Sequence, residues 1–508
     1  MVTFIISMLA LVAGYLFYGK LVERIFSPDP SRVTPAISMQ DGVDYIPLPT
    51  WKIFMIQFLN IAGTGPIFGA IMGAKFGPSA YLWIVLGCIF AGAVHDYLSG
   101  MLSIRNGGAG LPELIGKYLG QNTKKVMLIF TVFLMLMVGA VFVYSPSLIL
   151  GTMTKEYIGN SVYVCGGIIF PNLLGRIINF CICNSVYVWC GIIFLYYLIA
   201  TLMPIDKIIG KIYPIFAFAI IFMAVALGAN LFIKWPALPE LYETGVSTLS
   251  FNGKDIFPAL FITIACGAIS GFHATQSPLM ARCIQNEKYG RPVFYGGMIT
   301  EGIVALIWAT ISMYFFYGGG AEELGVSTSL QAPQVVTEVS SGWLGIIGGV
   351  LALLGVVAAP ITSGDTALRS ARLIVAEFLH MEQKSISKRL YICIPMFAVT
   401  MGLLSFNLTN PQGFNVIWNY FGWSNQTLSV FTLWTITVYL VLHKKCFWIT
   451  FVPAVFMTTV SVTFLLISKD CIGLEPIIGY VAGAVAAVAS CVIFFLWYNK
   501  KGSKQVES

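Results

Sequence analysis

Apolar runs of about 20 residues recur along the whole length of this 508-residue chain. Each run is long enough to cross a hydrocarbon core of roughly 30 Å as a helix. Only 10% of the residues are charged, and the mean hydropathy is +0.84, so the sequence predicts a polytopic membrane protein without a soluble domain. Thirteen spans are predicted, with approximate limits 2–19, 53–74, 79–104, 126–152, 187–203, 212–233, 257–280, 292–317, 343–378, 390–406, 414–442, 447–468 and 475–498.

The first span is interpreted as a retained helix, because it lacks the basic leader and small-residue cleavage site of a secretory signal. The placement of Lys and Arg predicts the orientation, since inner loops hold most of these residues. With the N-terminus outside and the C-terminus inside, 23 of the 29 basic residues fall in inner loops. The net charge of +7 reflects this asymmetry, and nucleic-acid binding, which needs a clustered basic face, is not expected.

Two predicted spans contain residues that interrupt a helix. Residues 58–70 include Asn60 and the Gly-Thr-Gly-Pro string that ends at Pro66, and residues 267–278 include several polar side chains before Pro278. Broken backbone survives in a bilayer only where protein or a water-filled cavity surrounds it. A pair of such segments, one in each half of the chain, indicates the binding site of a secondary transporter.

Ten spans remain when the first and the last two are set aside, and the broken segments are the first and sixth of these ten. Five spans per half make the second half enter the membrane from the opposite side, as an inverted-topology repeat requires. We therefore expect an all-α polytopic membrane protein built on a five-plus-five inverted repeat with extra helices. The predicted parts are an extra helix and basic inner loop (1–49), two five-helix repeats (50–233 and 234–443), and two extra helices with a short inner tail (444–508).

A local duplication relates residues 160–170 to residues 184–194. Its offset of 24 residues is too short for a transporter half, so it lengthens an outer connection, either as a tolerated insertion or as a lid. Whether residues 160–183 enter the membrane stays open. Four cysteines fall in predicted outer segments, where a disulfide is compatible with an oxidising compartment: Cys165, Cys181, Cys183 and Cys471.

Few ionisable residues lie at membrane depth, where a charge costs on the order of 2.5 to 3.5 kcal/mol. The ionisable residues there are His95, Asp96, His273, Glu301 and Asp365, and all but His273 are candidates for ion or proton coupling. No Lys or Arg is predicted at this depth, so each acid must be protonated, pair with a histidine or meet a cation. His95 and Asp96 are adjacent and point about 100° apart on a helix, so no bond between them is expected.

These residues also have simpler interpretations. A helix-packing contact is the alternative explanation for an acid at position 96 or 301. Asp365 has another, as the N-cap of a helix that restarts at Thr366. Thr362, Ser363 and Asp365 together with backbone carbonyls near Asn60 and Gly63 predict an oxygen-rich, sodium-like site. Transition-metal binding stays open, although no His-x-x-x-His spacing occurs. No organic cofactor is expected.

The broken segments are the predicted substrate site. Half-helix N-termini offer unpaired N–H groups and a positive dipole end, which suit a carboxylate. The candidate contacts are Asn60, Gly63, Thr64, Gly65, Ser270, His273, Thr275 and Gln276. Close helix packing explains many glycines but not polar residues beside Pro66 and Pro278. Asn419, Ser424, Asn425 and Gln426 interrupt the eleventh span, either as a cavity lining or as a kink.

Four strings give the chain a family resemblance: Asn60–Ile67, Gly92–Met101, Ser270–Pro278 and Thr362–Arg369. They resemble the carbon starvation protein A family of bacterial inner-membrane transporters. The resemblance implies a leucine-transporter-like fold and proton-coupled uptake of peptides or, in some members, pyruvate. In a bacterial inner membrane, the outer N-terminus predicted from the charges is periplasmic and the C-terminus is cytoplasmic. This chain is shorter at its C-terminal end than many relatives, and the duplication at 160–194 is unusual among them.

Residues and resemblance together predict a secondary active importer of small carboxylate-bearing nutrients and not an enzyme. A channel would not need two broken helices in corresponding positions. A membrane enzyme or nutrient sensor is the other alternative, since His95 and Asp96 form a conceivable catalytic pair. No phosphate-cradling loop with Lys and Ser/Thr occurs in the sequence. The expected partners are the small-molecule substrate and the lipid bilayer. No nucleic-acid partner is expected, and the oligomeric state stays open.

Overall fold

A computed structural model describes residues 1–42, 45–155, 180–202, 209–245, 255–379, 381, 386–410 and 412–506, and throughout these residues the regular structure is helical. Eleven helices there are long and apolar enough to cross a membrane. The helices are α1 (Val2–Phe26), α2 (Thr50–Ile61), α3 (Gly65–Ala74), α4 (Ser79–Arg105), α5 (Leu111–Leu119), α6 (Gln121–Met153), α7 (Ser185–Leu202), α8 (Ile209–Lys234), α9 (Ile256–Thr263), α10 (Gly271–Ala281), α11 (Glu287–Tyr317), α12 (Ala332–Phe378), α13 (Ile386–Thr409), α14 (Gly413–Leu442), α15 (Trp448–Ile467) and α16 (Pro476–Val506).

Both predicted broken spans are broken. The helices α2 and α3 meet at an angle of 53°, and together they form a twelfth candidate span. The seventh predicted span, 257–280, consists of the short helices α9 and α10, which are separated by residues 264–270. Neither short helix is long enough to cross a membrane alone. In the described residues, the helices long enough to do so therefore number fewer than the thirteen predicted spans.

Some boundaries and contacts differ from the prediction. The helix α12 begins at Ala332, in the predicted outer segment, and turns at Gly345, whose φ of 65° suits glycine. The second copy of the duplication lies at the start of α7, whereas residues 160–179 and Cys165 lie outside the described residues. Among the described residues, Cys181, Cys183 and Cys471 form no disulfide with one another.

The chain divides into two compact units. Unit 1 contains residues 1–134, 236–318 and 418–508, and unit 2 contains residues 135–235 and 319–417. Within unit 2, α12 packs against α7, α8 and α13. The buried Tyr197 on α7 donates a hydrogen bond from its hydroxyl to the carbonyl oxygen of Pro360 on α12, over 2.8 Å.

Unit 1 is built around the two breaks, which pack against each other. A Cβ added at Gly65, the first residue of α3, would lie 2.3 Å from the Sγ atom of Cys266 in the second break. A Cβ at Gly92 on α4 would lie 2.2 Å from the carbonyl oxygen of Ala268 in the same break. Glycine at these two positions therefore allows α3 and α4 to approach the unwound backbone closely.

The start of α10 is held directly against the backbone of α14. A Cβ at Gly271 would lie 2.4 Å from both the Asn425 carbonyl oxygen and the Ser429 amide nitrogen. Because both atoms belong to the backbone of a continuous helix, neither can move aside without displacing α14.

We therefore expect Gly271→Ala to destabilise the protein by about 1–3 kcal/mol through overpacking. The thermal unfolding midpoint of the purified protein, followed by size-exclusion chromatography after heating, should fall. Gly402→Ala on α13 is the matched control, since a Cβ there meets no atom within 4 Å. An unchanged midpoint for Gly271→Ala would contradict the assigned contact.

Candidate functional site

The second break has its freed backbone groups satisfied by side chains from other helices of unit 1. The indole N–H of Trp83 donates to the Ile264 carbonyl oxygen over 2.8 Å, and the Gln426 side-chain amide donates to the Phe261 carbonyl oxygen over 2.8 Å. These bonds satisfy carbonyls that would otherwise lack partners inside the membrane. The break is thus a stable feature of the fold.

Asn425 on α14 caps α10. Its Oδ1 atom accepts the backbone N–H of Phe272 over 2.6 Å and the Ser270 hydroxyl over 3.1 Å. Ser270 occupies the N-cap position with an extended backbone, but its own side chain makes no capping bond. The amide from a neighbouring helix therefore takes the role that a Ser or Asp N-cap usually has.

Immediately after this cap, four fully buried ionisable side chains form a chain of contacts, which we call the buried quartet: His95, Asp96, His273 and Glu301. The Asp96 carboxylate lies 2.8 Å from His95 Nδ1 through one oxygen and 2.8 Å from His273 Nδ1 through the other. His273 Nε2 in turn lies 3.4 Å from a carboxylate oxygen of Glu301. Three helices of unit 1, α4, α10 and α11, contribute these residues.

The expectation that His95 and Asp96 do not bond is wrong. Their Cβ atoms diverge by about 100° around α4, but both side chains can bend along the helix axis. The imidazole Nδ1 and the carboxylate oxygen, each two bonds from Cβ, then meet at 2.8 Å. Helical periodicity places Cβ atoms and leaves the ends of longer side chains free to meet.

The hydrogen-bond pattern determines how protons are arranged in the quartet. An ionised Asp96 accepts the Nδ1–H of His273, which leaves Nε2 of the neutral ring as an acceptor facing Glu301. Two acceptors 3.4 Å apart repel one another unless a proton lies between them. One proton must therefore be held by His273 Nε2 or by Glu301.

A thiol lies beside the quartet. Donor atoms of Cys266, His273 and Glu301 lie within 4.8 Å of one another, and thiolate, imidazole and carboxylate are all ligands that zinc accepts. The Cys266 thiol, however, is 3.5 Å from the Ser270 hydroxyl, to which it donates, and His273 Nε2 already faces Glu301. A metal ion bound here would replace these contacts, and transition-metal binding at this place stays open.

The predicted substrate contacts lie at the breaks as follows. Asn60 lies in the last turn of α2, Gly63 and Thr64 lie in the first break, and Gly65 begins α3. Ser270 ends the second break, whereas His273, Thr275 and Gln276 lie inside α10, because the helix resumes at Gly271 and not after Pro278. The Thr275 hydroxyl donates to the Phe272 carbonyl oxygen over 2.6 Å, so it bonds within its own helix.

Several buried polar atoms near the breaks have no hydrogen-bond partner among the described residues. They include Thr64 Oγ1, Gln276 Oε1 and both polar atoms of the Gln57 side chain. Such groups are suited to bind a water, an ion or a ligand, since leaving a buried polar atom without a partner costs about 1–3 kcal/mol. Gln57 is not among the predicted contacts, although a lone glutamine in the apolar stretch 53–59 is a recognisable signal.

The predicted ion-site residues of unit 2 differ from expectation. Helix α12 continues through Thr362, Ser363 and Asp365, so the N-cap interpretation of Asp365 is wrong. The Thr362 hydroxyl donates to the Ala358 and Ala359 carbonyl oxygens over 3.0 and 2.9 Å, and thus within its own helix. Coordination of sodium by these residues stays a prediction.

The expectation of no basic residue at this depth is also wrong. Arg369 lies inside α12 with 4% of its surface exposed, and its Nη2 atom is 3.5 Å from an Asp365 carboxylate oxygen. Helix α12 ends at Phe378, as the predicted span 343–378 does, so Arg369 lies inside both. Asp365 therefore has a cationic partner one turn away, unlike the acids of the quartet.

The eleventh predicted span is uninterrupted, since α14 is continuous from Gly413 to Leu442. Asn425 and Gln426 contact the second break as described, so the kink interpretation is wrong for them. Asn419 instead donates from its amide to the Asp470 carboxylate over 2.6 Å.

Comparison with known proteins decides the family. The family model for carbon starvation protein CstA matches residues 1–162, 158–343 and 312–464. The chain belongs to this family. The peptide transporter CstA of Campylobacter jejuni is 27% identical over 94% of this chain and 81% of its own length. The pyruvate/proton symporter BtsT of Escherichia coli is 28% identical over 62% of this chain, and the match covers 50% of BtsT.

The fold also has a solved relative. A crystal structure of the Eremococcus coleocola manganese transporter, in complex with an aromatic bis-isothiourea substituted compound, matches with a TM-score of 0.53 at 13% identity. The match covers 91% of this chain and 98% of that transporter. This similarity identifies the CstA-family chain as having the fold of a membrane transporter, and at such low identity it carries no information on the substrate.

The cap on α10 generates a prediction. Asn425→Ala should leave the Phe272 N–H and Ser270 hydroxyl without their acceptor and cost about 1–3 kcal/mol. The thermal unfolding midpoint should fall relative to that of Asn415→Ala, which removes an exposed amide from the same helix. Equal midpoints for the two variants would mean that α10 does not depend on this cap.

Proposed function

We propose that this chain is a secondary active importer of small carboxylate-bearing nutrients, peptides or pyruvate, driven by protons through alternating access at the two breaks. The observation that carries the proposal is the His273–Glu301 contact at 3.4 Å, which needs a proton and lies one turn beyond the second break. The names of the Campylobacter and Escherichia relatives support transport of such substrates. The alternatives are a nutrient sensor or a channel of the same fold.

The proton is proposed to reside on Glu301 in the resting protein. Both carboxylate oxygens of Glu301 are buried without a hydrogen-bond partner among the described residues, and its near neighbours are His273 and Cys266. An ionised carboxylate so placed costs more than the neutral acid, which can donate its O–H to His273 Nε2. Asp96, in contrast, accepts two imidazole contacts and is suited to stay ionised.

The coupling cycle then depends on which side of the membrane has access to the breaks. When the breaks open to the outside, Glu301 takes a proton from water and forms an O–H bond, and the substrate carboxylate binds. When they open to the inside, the O–H bond breaks, and the proton leaves to water together with the substrate. His273, oriented by Asp96, can relay the proton between Glu301 and water.

The substrate contacts are proposed to come from Asn60, Gly63, Thr64 and Gly65 at the first break and from Ser270, His273, Thr275 and Gln276 at the second. Backbone N–H groups at the starts of α3 and α10 suit a carboxylate. A peptide would add an amine that needs an acidic partner, whereas pyruvate would not. Thr362, Ser363 and Asp365 are kept as an alternative coupling site for sodium.

An inverted five-plus-five repeat is supported by the composition of the units. Unit 1 takes the first two core spans of each half, and unit 2 takes the fourth span of each half with most of the third. Four of the five pairs of corresponding spans therefore share a unit, as a duplicated architecture predicts, whereas the fifth spans, 212–233 and 414–442, fall mainly in different units. We further propose location in the bacterial inner membrane, with the N-terminus periplasmic and the C-terminus cytoplasmic, from the Lys and Arg distribution.

Asp96→Asn should abolish proton-driven accumulation of substrate while expression stays normal. The amide cannot serve as an ionised acceptor for His273, and losing a hydrogen bond to a charged group costs about 1.5–3 kcal/mol, or roughly a ten- to hundredfold loss of uptake. Uptake into proteoliposomes with an imposed proton gradient measures this. Normal accumulation by the variant would refute the coupling role.

Glu301→Gln should separate coupling from binding. The neutral amide mimics the protonated acid, so counterflow exchange of labelled substrate should persist while accumulation driven by a proton gradient is lost. Glu322→Gln, at an exposed glutamate, is the matched control and should retain both activities. If Glu301→Gln still concentrates substrate against its gradient, Glu301 is not the coupling group.

Substrate and ion are tested together by uptake of labelled dipeptide and labelled pyruvate into proteoliposomes. We expect at least one of them to accumulate under a proton gradient, to exchange in counterflow, and not to accumulate under a sodium gradient alone. Flux without counterflow would indicate a channel, and no flux of either compound would favour a sensor.

A further inference from the structure

A basic pocket lies at the end of α1, away from the breaks. It has a volume of about 430 Å³ and is lined by Lys20, Glu23, Arg24, Ser27, Pro28 and Arg291. Glu23 pairs with Arg291 over 2.7 Å, so the one acid in the lining is already neutralised. Lys20 and Arg24 are exposed, lie one turn apart, and have no ion-pair partner within 4.0 Å among the described residues.

The surroundings do not supply an anion for these two cations. Glu287, a fully buried acid of unit 1, is occupied by Arg105 in a bidentate pair at 3.0 and 3.1 Å and also accepts the Asp29 N–H. The Arg291 guanidinium lies 4.9 Å from the ring centroid of Tyr15, which anchors it to the wall of the pocket. The pocket therefore keeps an excess of two positive charges.

The pocket continues into an apolar, exposed face of the same helix. Phe17 is 75% exposed and Leu21 is 45% exposed. Together with Arg24 they follow the i, i+4, i+7 spacing of one helix face. In a chain that spans a membrane, this face meets acyl chains, and the cations at its end lie where headgroups begin.

We propose that this pocket binds an anionic phospholipid, with the phosphate at Lys20 and Arg24 and an acyl chain along Phe17 and Leu21. Basic pockets between membrane helices are suited to acidic headgroups, because the phosphodiester supplies the missing counter-charge in a partly desolvated place. The lipid would bridge α1 and the start of α11, since Arg291 belongs to the latter. The site is independent of the proposed transport function.

Native mass spectrometry of the full-length protein, exchanged from detergent into defined phosphatidylglycerol or phosphatidylcholine, tests the proposal. We expect retention of one phosphatidylglycerol molecule and not of phosphatidylcholine. Lys20→Ala with Arg24→Ala should weaken this binding by roughly thirtyfold, since each basic residue near an anionic surface contributes about fivefold. Lys125→Ala with Lys388→Ala removes the same charge at exposed positions outside the pocket and should leave retention unchanged.

The other outcomes are decisive as well. Equal loss of lipid in both double variants would mean a nonspecific charge effect and would overturn the site. Displacement of the lipid by millimolar inorganic phosphate would mean that the pocket is a small-anion site. The midpoint of thermal unfolding in phosphatidylcholine alone should be the same for the wild type and the Lys20→Ala, Arg24→Ala variant. A lower midpoint for the variant would mean that it loses the lipid because it misfolds, and the site would not be supported.

Discussion

The hydrogen bond between Asp96 and His273 organises the centre of unit 1. It joins α4 to α10, fixes the imidazole with Nδ1 toward Asp96, and directs Nε2 at Glu301 on α11. Without a fixed ring orientation, the 3.4 Å contact would carry no requirement for a proton. His95 supports the arrangement from the other side, because it occupies the second oxygen of the same carboxylate.

The ring can take this position only because α10 begins where it does. Trp83, Gln426 and Asn425 satisfy the backbone of the second break, and glycines at positions 65, 92 and 271 let neighbouring helices contact it directly. His273 follows two residues after Gly271, in the first turn of the resumed helix. Glycines near the breaks thus have two roles: they interrupt the helices, and they let a neighbouring backbone approach closely.

Much of this centre was predictable from composition. Breaks near Gly63 and Gly267 follow from glycine, proline and polar residues inside apolar spans, and His95, Asp96, His273 and Glu301 are recognisable as rare ionisable groups at membrane depth. The partners were not predictable, because apolar periodicity does not determine side-chain rotamers or contacts between helices distant in sequence. The sequence left Asn425 as either a cavity residue or part of a kink, and it did not show that Arg369 would contact Asp365 one turn away.

Infrared difference spectroscopy of the purified protein in lipid, on addition of substrate, tests the central claim most directly. A proton held on Glu301 against His273 predicts a carboxylic-acid C=O band that changes when substrate binds and is missing from Glu301→Gln. If the wild type and Glu301→Gln give identical spectra in that region, the buried quartet does not hold the proposed proton on Glu301, and the coupling mechanism is wrong.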